Sequence, residues 1–185
     1  MTKFLRFGAA GVAMFAALGM GSAAHAQQSA SADARAEVLQ PLVLTVDPNA
    51  DTLDFGAIVI ASIPVAGTET LVLPADGTAM TCPTTLVCRG TTSLPRFIVA
   101  GTANRAVDIT LPTGNVILRT GAGVDADEQL ELNTFTSSEN ISGAPAVTLN
   151  GTGDAAFNVG GSLVIDEAQD AGIYTGTFQV SVEYS

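Results

Sequence analysis

Gly172-Ile173-Tyr174-Thr175-Gly176-Thr177-Phe178-Gln179-Val180-Ser181-Val182-Glu183-Tyr184-Ser185 ends the sequence with an almost unbroken two-residue period. Side chains on an extended chain point alternately to its two faces, so Tyr174, Phe178, Val180, Val182 and Tyr184 share one face, with Gly176 a gap in the row. Threonine, glutamine, serine and glutamate fill the other face. The pattern predicts a half-buried strand over Ile173 to Tyr184. Any antiparallel sandwich can place such a strand at an edge or at its centre, so the period speaks to fold class before it speaks to role.

The preceding sequence continues the theme. Val38–Val46, Leu53–Ile60, Glu69–Leu73, Arg96–Ala100, Ala106–Leu111, Asn115–Leu118, Glu131–Thr136, Ala146–Leu149, Ala155–Val159 and Ser162–Ile165 are short apolar runs rich in Thr, Val and Ile, broken by Gly, Pro, Asn and Asp. Such residues suit pleated, half-buried surfaces. Outside the first residues no segment keeps a helical period over about ten residues, which predicts an all-β antiparallel sandwich. No internal repeat or linker divides it.

Met1 to Ala26 reads as a secretory signal peptide. Lys3 and Arg6 give the positive start, Ala9 to Met20 the apolar stretch and Ala24-His25-Ala26 a small-residue cleavage site. Three regions are therefore expected: the signal at 1–26, an extension at 27–40 and a sandwich at 41–185. The apolar run is short for a membrane span, and no later stretch reaches that length. After cleavage five arginines face eighteen acids, a balance of −13 with no lysine. Such a surface repels phosphate backbones, so nucleic acid is not an expected partner.

His25, the single histidine, falls within the signal. Without histidine or lysine the exported part cannot build a Ser-His-Asp or Cys-His pair, or a lysine nucleophile. Paired carboxylates remain, but no spacing of the acids singles out a pair. The expectation is a protein that is not an enzyme and carries no cofactor. Cys82 and Cys88 are expected to form a disulfide in an oxidising compartment, closing a small loop for about 2 kcal/mol by chain entropy. Two thiols without histidine make an incomplete zinc site. Asp125, Asp127 and Glu128 resemble half of a calcium loop, but Leu130 stands where that motif turns on glycine, so no metal is expected. The segment Thr81 to Ser93 is expected to project as a surface loop.

In the extension, Ala30, Ala32, Ala34, Ala36 and Val38 alternate with Ser31, Asp33, Arg35 and Glu37. A small, polar tail is one reading. A donor strand that completes the sheet of another copy is the other, with Val38, Leu39, Leu42 and Leu44 supplying the larger side chains. Pro41 marks an edge position or the joint with the domain.

A glycine fourteen places from the end with a penultimate tyrosine resembles the carboxy-terminal signature of pilins assembled by the chaperone-usher route. Further blocks are Pro41-Leu42-Val43-Leu44-Thr45-Val46, Thr52-Leu53-Asp54-Phe55-Gly56-Ala57-Ile58-Val59, Pro95-Arg96-Phe97-Ile98-Val99-Ala100-Gly101 and Phe157-Asn158-Val159-Gly160-Gly161-Ser162-Leu163. With the final segment they resemble an uncharacterised secreted bacterial domain family that is compared with the major subunit of Mat/Ecp-type fimbriae. The resemblance implies an immunoglobulin-like pilin sandwich. It also implies a Gram-negative cell-surface location reached through the periplasm, with a periplasmic chaperone, an outer-membrane usher and self-association into a polymer as partners. Gly172, Tyr174, Gly176, Phe178, Val180, Val182 and Tyr184 would then line the interface with the chaperone or the next subunit, Gly172 letting another backbone approach. The alternative is a secreted monomeric β-sandwich for binding or adhesion.

Overall fold

Runs of β-branched and aromatic residues become twelve strands, every pair antiparallel, in a computed structural model that describes residues 28–185. The signal peptide expected over Met1 to Ala26 lies outside the described residues. In chain order the strands are β1 (Val43–Val46), β2 (Ala57–Ile60), β3 (Thr68–Leu73), β4 (Leu86–Arg89), β5 (Arg96–Ala100) and β6 (Ala106–Thr110). They continue with β7 (Val116–Arg119), β8 (Gln129–Ser137), β9 (Asn140–Ile141), β10 (Ala144–Thr148), β11 (Asp154–Asp166) and β12 (Ser181–Tyr184). One 3-10 turn at Ala126–Glu128 precedes β8.

Six strands form one sheet in the order β1-β5-β11-β8-β7, with β3 also on β11; four form a second, β12-β6-β10-β9; β2 and β4 make a two-stranded ribbon. This is the all-β antiparallel sandwich expected from the sequence. Among the described residues no helix is long and apolar enough to cross a membrane.

The 13-residue β11 organises the interior. Its first part, Asp154 to Asn158, pairs with β5, and its second, Gly161 to Asp166, with β3. Phe157 and Val159 accordingly enter one apolar cluster with Phe97, Val99, Val107 and Leu149, while Leu163 and Ile165 enter another with Phe55, Leu71, Leu86 and Leu132. Phe135 and Phe178 pack against both clusters.

From the sequence β11 is expected as two strands parted at Gly160-Gly161, because paired glycines ordinarily punctuate a strand. Here they let it change partners. A Cβ on Gly160 would overlap the Leu73 carbonyl oxygen and the Ala75 nitrogen, and the register against β8 shifts between Gly160 and Ser162.

The strand β4 was not expected, and it corrects the reading of 81–93 as a projecting loop. Leu86 points inward and Val87 outward, and the strand pairs with β2 in register Ile58↔Cys88. The Cys82–Cys88 disulfide is formed, with Cα atoms 6.0 Å apart. Met80 and both cysteines pack against the core, so the bridge serves as an apolar surface as well as a loop closure.

Val38–Ser185 is one compact unit. Residues 28–37 belong to the other and are exposed without regular secondary structure.

Candidate functional site

Strand β1 pairs with β5 from Val43↔Ala100 to Val46↔Phe97 and is the terminal strand of its sheet, so among the described residues its other edge has no ladder. Leu44 turns into the core while Val43, Thr45 and Val46 stay exposed. An unpaired edge of this kind offers backbone donors and acceptors to any extended chain.

The facing wall is the carboxy-terminal segment. Thr175 exchanges backbone hydrogen bonds with Arg119 of β7 at 2.8 and 2.9 Å, and Ser181–Tyr184 pairs with β6. Between these anchors Phe178 and Val180 are half-buried, while Thr177 and Gln179 are exposed. The expected alternation is therefore present. Among the described residues, however, no main-chain hydrogen bond joins 176–180 to another strand. The strand expected over Ile173 to Tyr184 is thus a ladder only at β12, with one bridge at Thr175. The physical reason is that the chain crosses here from the edge of one sheet to the edge of the other, lying against the β7 backbone only at Gly176.

A cleft of about 660 Å³ lies between these walls. Leu44, Thr45 and Val46 form one side, and Phe178, Gln179, Val180 and Ser181 the other; Phe97 and the turn from Thr110 to Thr113 complete it. None of these side chains carries a charge, in a protein of formal net charge −11. The carboxylate of Asp76, held below its usual range by the backbone N–H and hydroxyl of Thr78, lies outside the cleft lining.

The aromatic side of the cleft is already well filled. Phe97 stacks on Phe157 with ring centroids 5.4 Å apart, and Phe178 lies 6.5 Å from Phe97 and 5.0 Å from Phe135.

Tyr184 ties the carboxy-terminal strand to the entry of the domain. Its hydroxyl accepts the Thr102 N–H and donates to the Gln40 carbonyl, both at 2.7 Å, while the Gln40 N–H donates to Thr102 Oγ1 at 2.7 Å. Tyr184→Phe is expected to lose about 1 kcal/mol of stability and to leave the ring packing intact. Amide exchange at Thr102 should quicken while core amides are unchanged, apart from the global loss. Unchanged exchange at Thr102 would refute the latch.

Tyr174 is a second anchor. Its hydroxyl lies 2.7 Å from the carbonyls of both Asp127 and Asp170 and accepts from Gln169 Nε2 at 3.1 Å. Gly172, expected to admit a foreign backbone, lies against Thr120, the residue after β7 of the same chain, and Gly176, the gap in the inward row, lies against β7 itself. A Cβ on Gly172 would overlap Thr120 Oγ1, and one on Gly176 would stand 2.7 Å from Leu118 Cδ2. Val182 packs in the cluster around Phe157.

Ala30, Ala32, Ala34 and Ala36 are exposed, as is Val38 at 94%. Leu42 and Leu44, named as stronger donor residues, are committed to the chain's own core. The acids near 125–128 serve the local turn: Glu128 accepts the Val124 N–H at 2.9 Å. Among the described residues no group of three His, Cys, Asp or Glu side chains is arranged to hold a metal.

The sequence pattern identified Phe178 and Val180. It missed Phe97, Phe135 and Leu111 as their neighbours, because alternation assigns a residue to a face but not to a seam between two sheets.

No curated protein matches the sequence. A family match covers residues 44–184, from the second residue of β1 to the last of β12, and so takes in both walls of the cleft. The chain belongs to the family described as Domain of unknown function (DUF4402).

Proposed function

We propose that this protein is a structural subunit of a cell-surface fimbria, assembled by donor-strand complementation. The observation that supports the reading is the cleft itself: the outer edge of β1 and the extended segment 176–180, neither with a ladder partner there among the described residues, face each other across an uncharged, partly aromatic trough. An inserted strand would pair with both edges and cover the half-buried side chains of Leu44, Phe178 and Val180, relieving an unpaired backbone and an exposed stripe in one step. In this reading the chain is exported through the periplasm, a periplasmic chaperone covers the cleft until an outer-membrane usher releases it, and a neighbouring subunit then replaces the chaperone strand. Exchange of a looser strand for a better-fitting one supplies the driving force. No catalytic step or cofactor is assigned.

The test is electrophoresis of material recovered from the producing cell. Unheated samples in detergent should give a ladder of multimers that boiling collapses to one band. Removal of residues 28–38 should leave exported monomer alone. A persistent ladder from that deletion would remove 28–38 as the donor strand, and intact material that is monomeric throughout and binds a small ligand would replace this reading with that of a monomeric binding module.

A further inference from the structure

We propose that Met80 is an oxidant-sensitive clasp: conversion of its thioether to the sulfoxide by peroxide or hypohalous acid frees the β2–β4 ribbon from the apolar cluster beneath it. β2 and β4 pair with each other, and among the described residues no ladder joins either strand to the six-stranded or the four-stranded sheet. Side chains hold the ribbon instead. Phe55 and Leu86 enter the cluster of Leu71, Leu132, Leu163 and Ile165, while Ile58, Ile60, Cys82 and Cys88 pack against it. A two-stranded ribbon without such support is marginal in water.

Met80 stands at the entry to this arrangement. It follows the turn that leaves β3 and precedes the disulfide, half-buried and packed against the same cluster. Among the described residues 79–82 make no main-chain hydrogen bond, so the approach to the ribbon is held by the side chains of Met80 and Cys82. The Cys82–Cys88 bond joins that approach to β4. A displacement of Met80 is therefore carried into the ribbon through a covalent link.

The composition directs oxidation to this position. Among the described residues Met80 is the one methionine, both cysteines are already joined to each other, and the chain has no tryptophan. One oxygen passes from the oxidant to Sδ as sulfur gives up two electrons, the O–O or O–halogen bond breaks, and the remainder leaves as water or as halide and a proton. The product is polar where the thioether was apolar. Kept against the cluster, its oxygen would be stripped of water, so the segment turns outward to solvate it and draws β4 along. The cleft stands apart from this change, because Leu44, Phe97 and Val180 belong to the other cluster, and the clasp does not rest on the fimbrial reading.

The test exposes the purified protein, its disulfide intact, to hydrogen peroxide and follows it by peptide mapping and hydrogen exchange. One oxygen is expected at Met80, and exchange at 57–60 and 86–89 is expected to quicken about tenfold or more while Val99 and Val107 keep their protection. Met80→Leu should take up no oxygen and should hold the ribbon under peroxide. Met80→Gln, which places a polar group at the same point, should loosen the ribbon without any oxidant. Oxygen at Met80 with ribbon exchange unchanged would overturn the clasp, as would a Met80 that peroxide leaves unmodified. A uniform loss of protection through both clusters would overturn it equally, because the ribbon would then have no opening of its own.

Discussion

Phe157→Ala is expected to lower the melting temperature by roughly 10 °C or more, the largest loss from any single side-chain truncation in this protein. Phe157 is 2% exposed and lies on β11 stacked against Phe97. Truncating a buried phenylalanine costs about 3 to 5 kcal/mol, through lost transfer energy and the cavity left behind. Each kcal/mol moves the midpoint by about 2–4 °C in a chain of this length. The effect should reach the cleft as well, because Phe97 loses the ring behind it. Calorimetry of the purified protein checks the first expectation and amide exchange at 176–180 the second. A midpoint shift of only about 2 °C would mean that this ring is not the interior anchor described above.

Gly160→Val is expected to cost about 3 kcal/mol or more, at the upper end of overpacking effects. The obstruction is main chain: a Cβ at Gly160 meets the Leu73 carbonyl oxygen, the Ala75 nitrogen and the Pro74 carbonyl carbon, none of which can swing aside. Moving the 73–75 turn would break the junction at which β11 passes from β5 to β3. Gly161→Ala is the internal control. Its nearest obstacle is Leu132 Cδ1 at 3.3 Å, a side-chain terminus, so about 1 kcal/mol or less is expected. Urea unfolding of the two variants in parallel tests the contrast. Equal losses would show that the adjoining glycine, and not the turn, sets the constraint.

Strands with an unbroken apolar run were legible in the sequence both inside the sheets and at their edges, as with Glu69–Leu73 for β3. Arg96–Ala100 was read with its observed bounds, and β6 differs only by ending at Thr110 instead of Leu111. Three departures have separate causes. β11 reads as two strands because Gly160-Gly161 look like a turn until the 73–75 backbone is placed against them. β4 reads as a loop because Leu86-Val87-Cys88-Arg89 is short and lies inside the disulfide neighbourhood, where the pairing with β2 is non-local. The carboxy-terminal strand is shorter than its pattern predicts because period two reports the direction of side chains, not the presence of a hydrogen-bonded neighbour. That last departure located the cleft: 176–180 has the side-chain pattern of a strand without its ladder. The inward row from Tyr174 to Tyr184 was legible, whereas the roles of Tyr174 and Tyr184 as internal fasteners were not, since each depends on carbonyls from distant parts of the chain.

The clamp of Tyr184 on Gln40 has a mechanical side. If subunits are joined as proposed, tension along a fibre enters each one at Gln40 and leaves through whatever occupies the trough beside β1. Both points adjoin the same four-residue strand, so a pull is borne in shear along its ladder to β5, assisted by a tyrosine hydroxyl and by the packing of Leu44 against Phe97 and its neighbours.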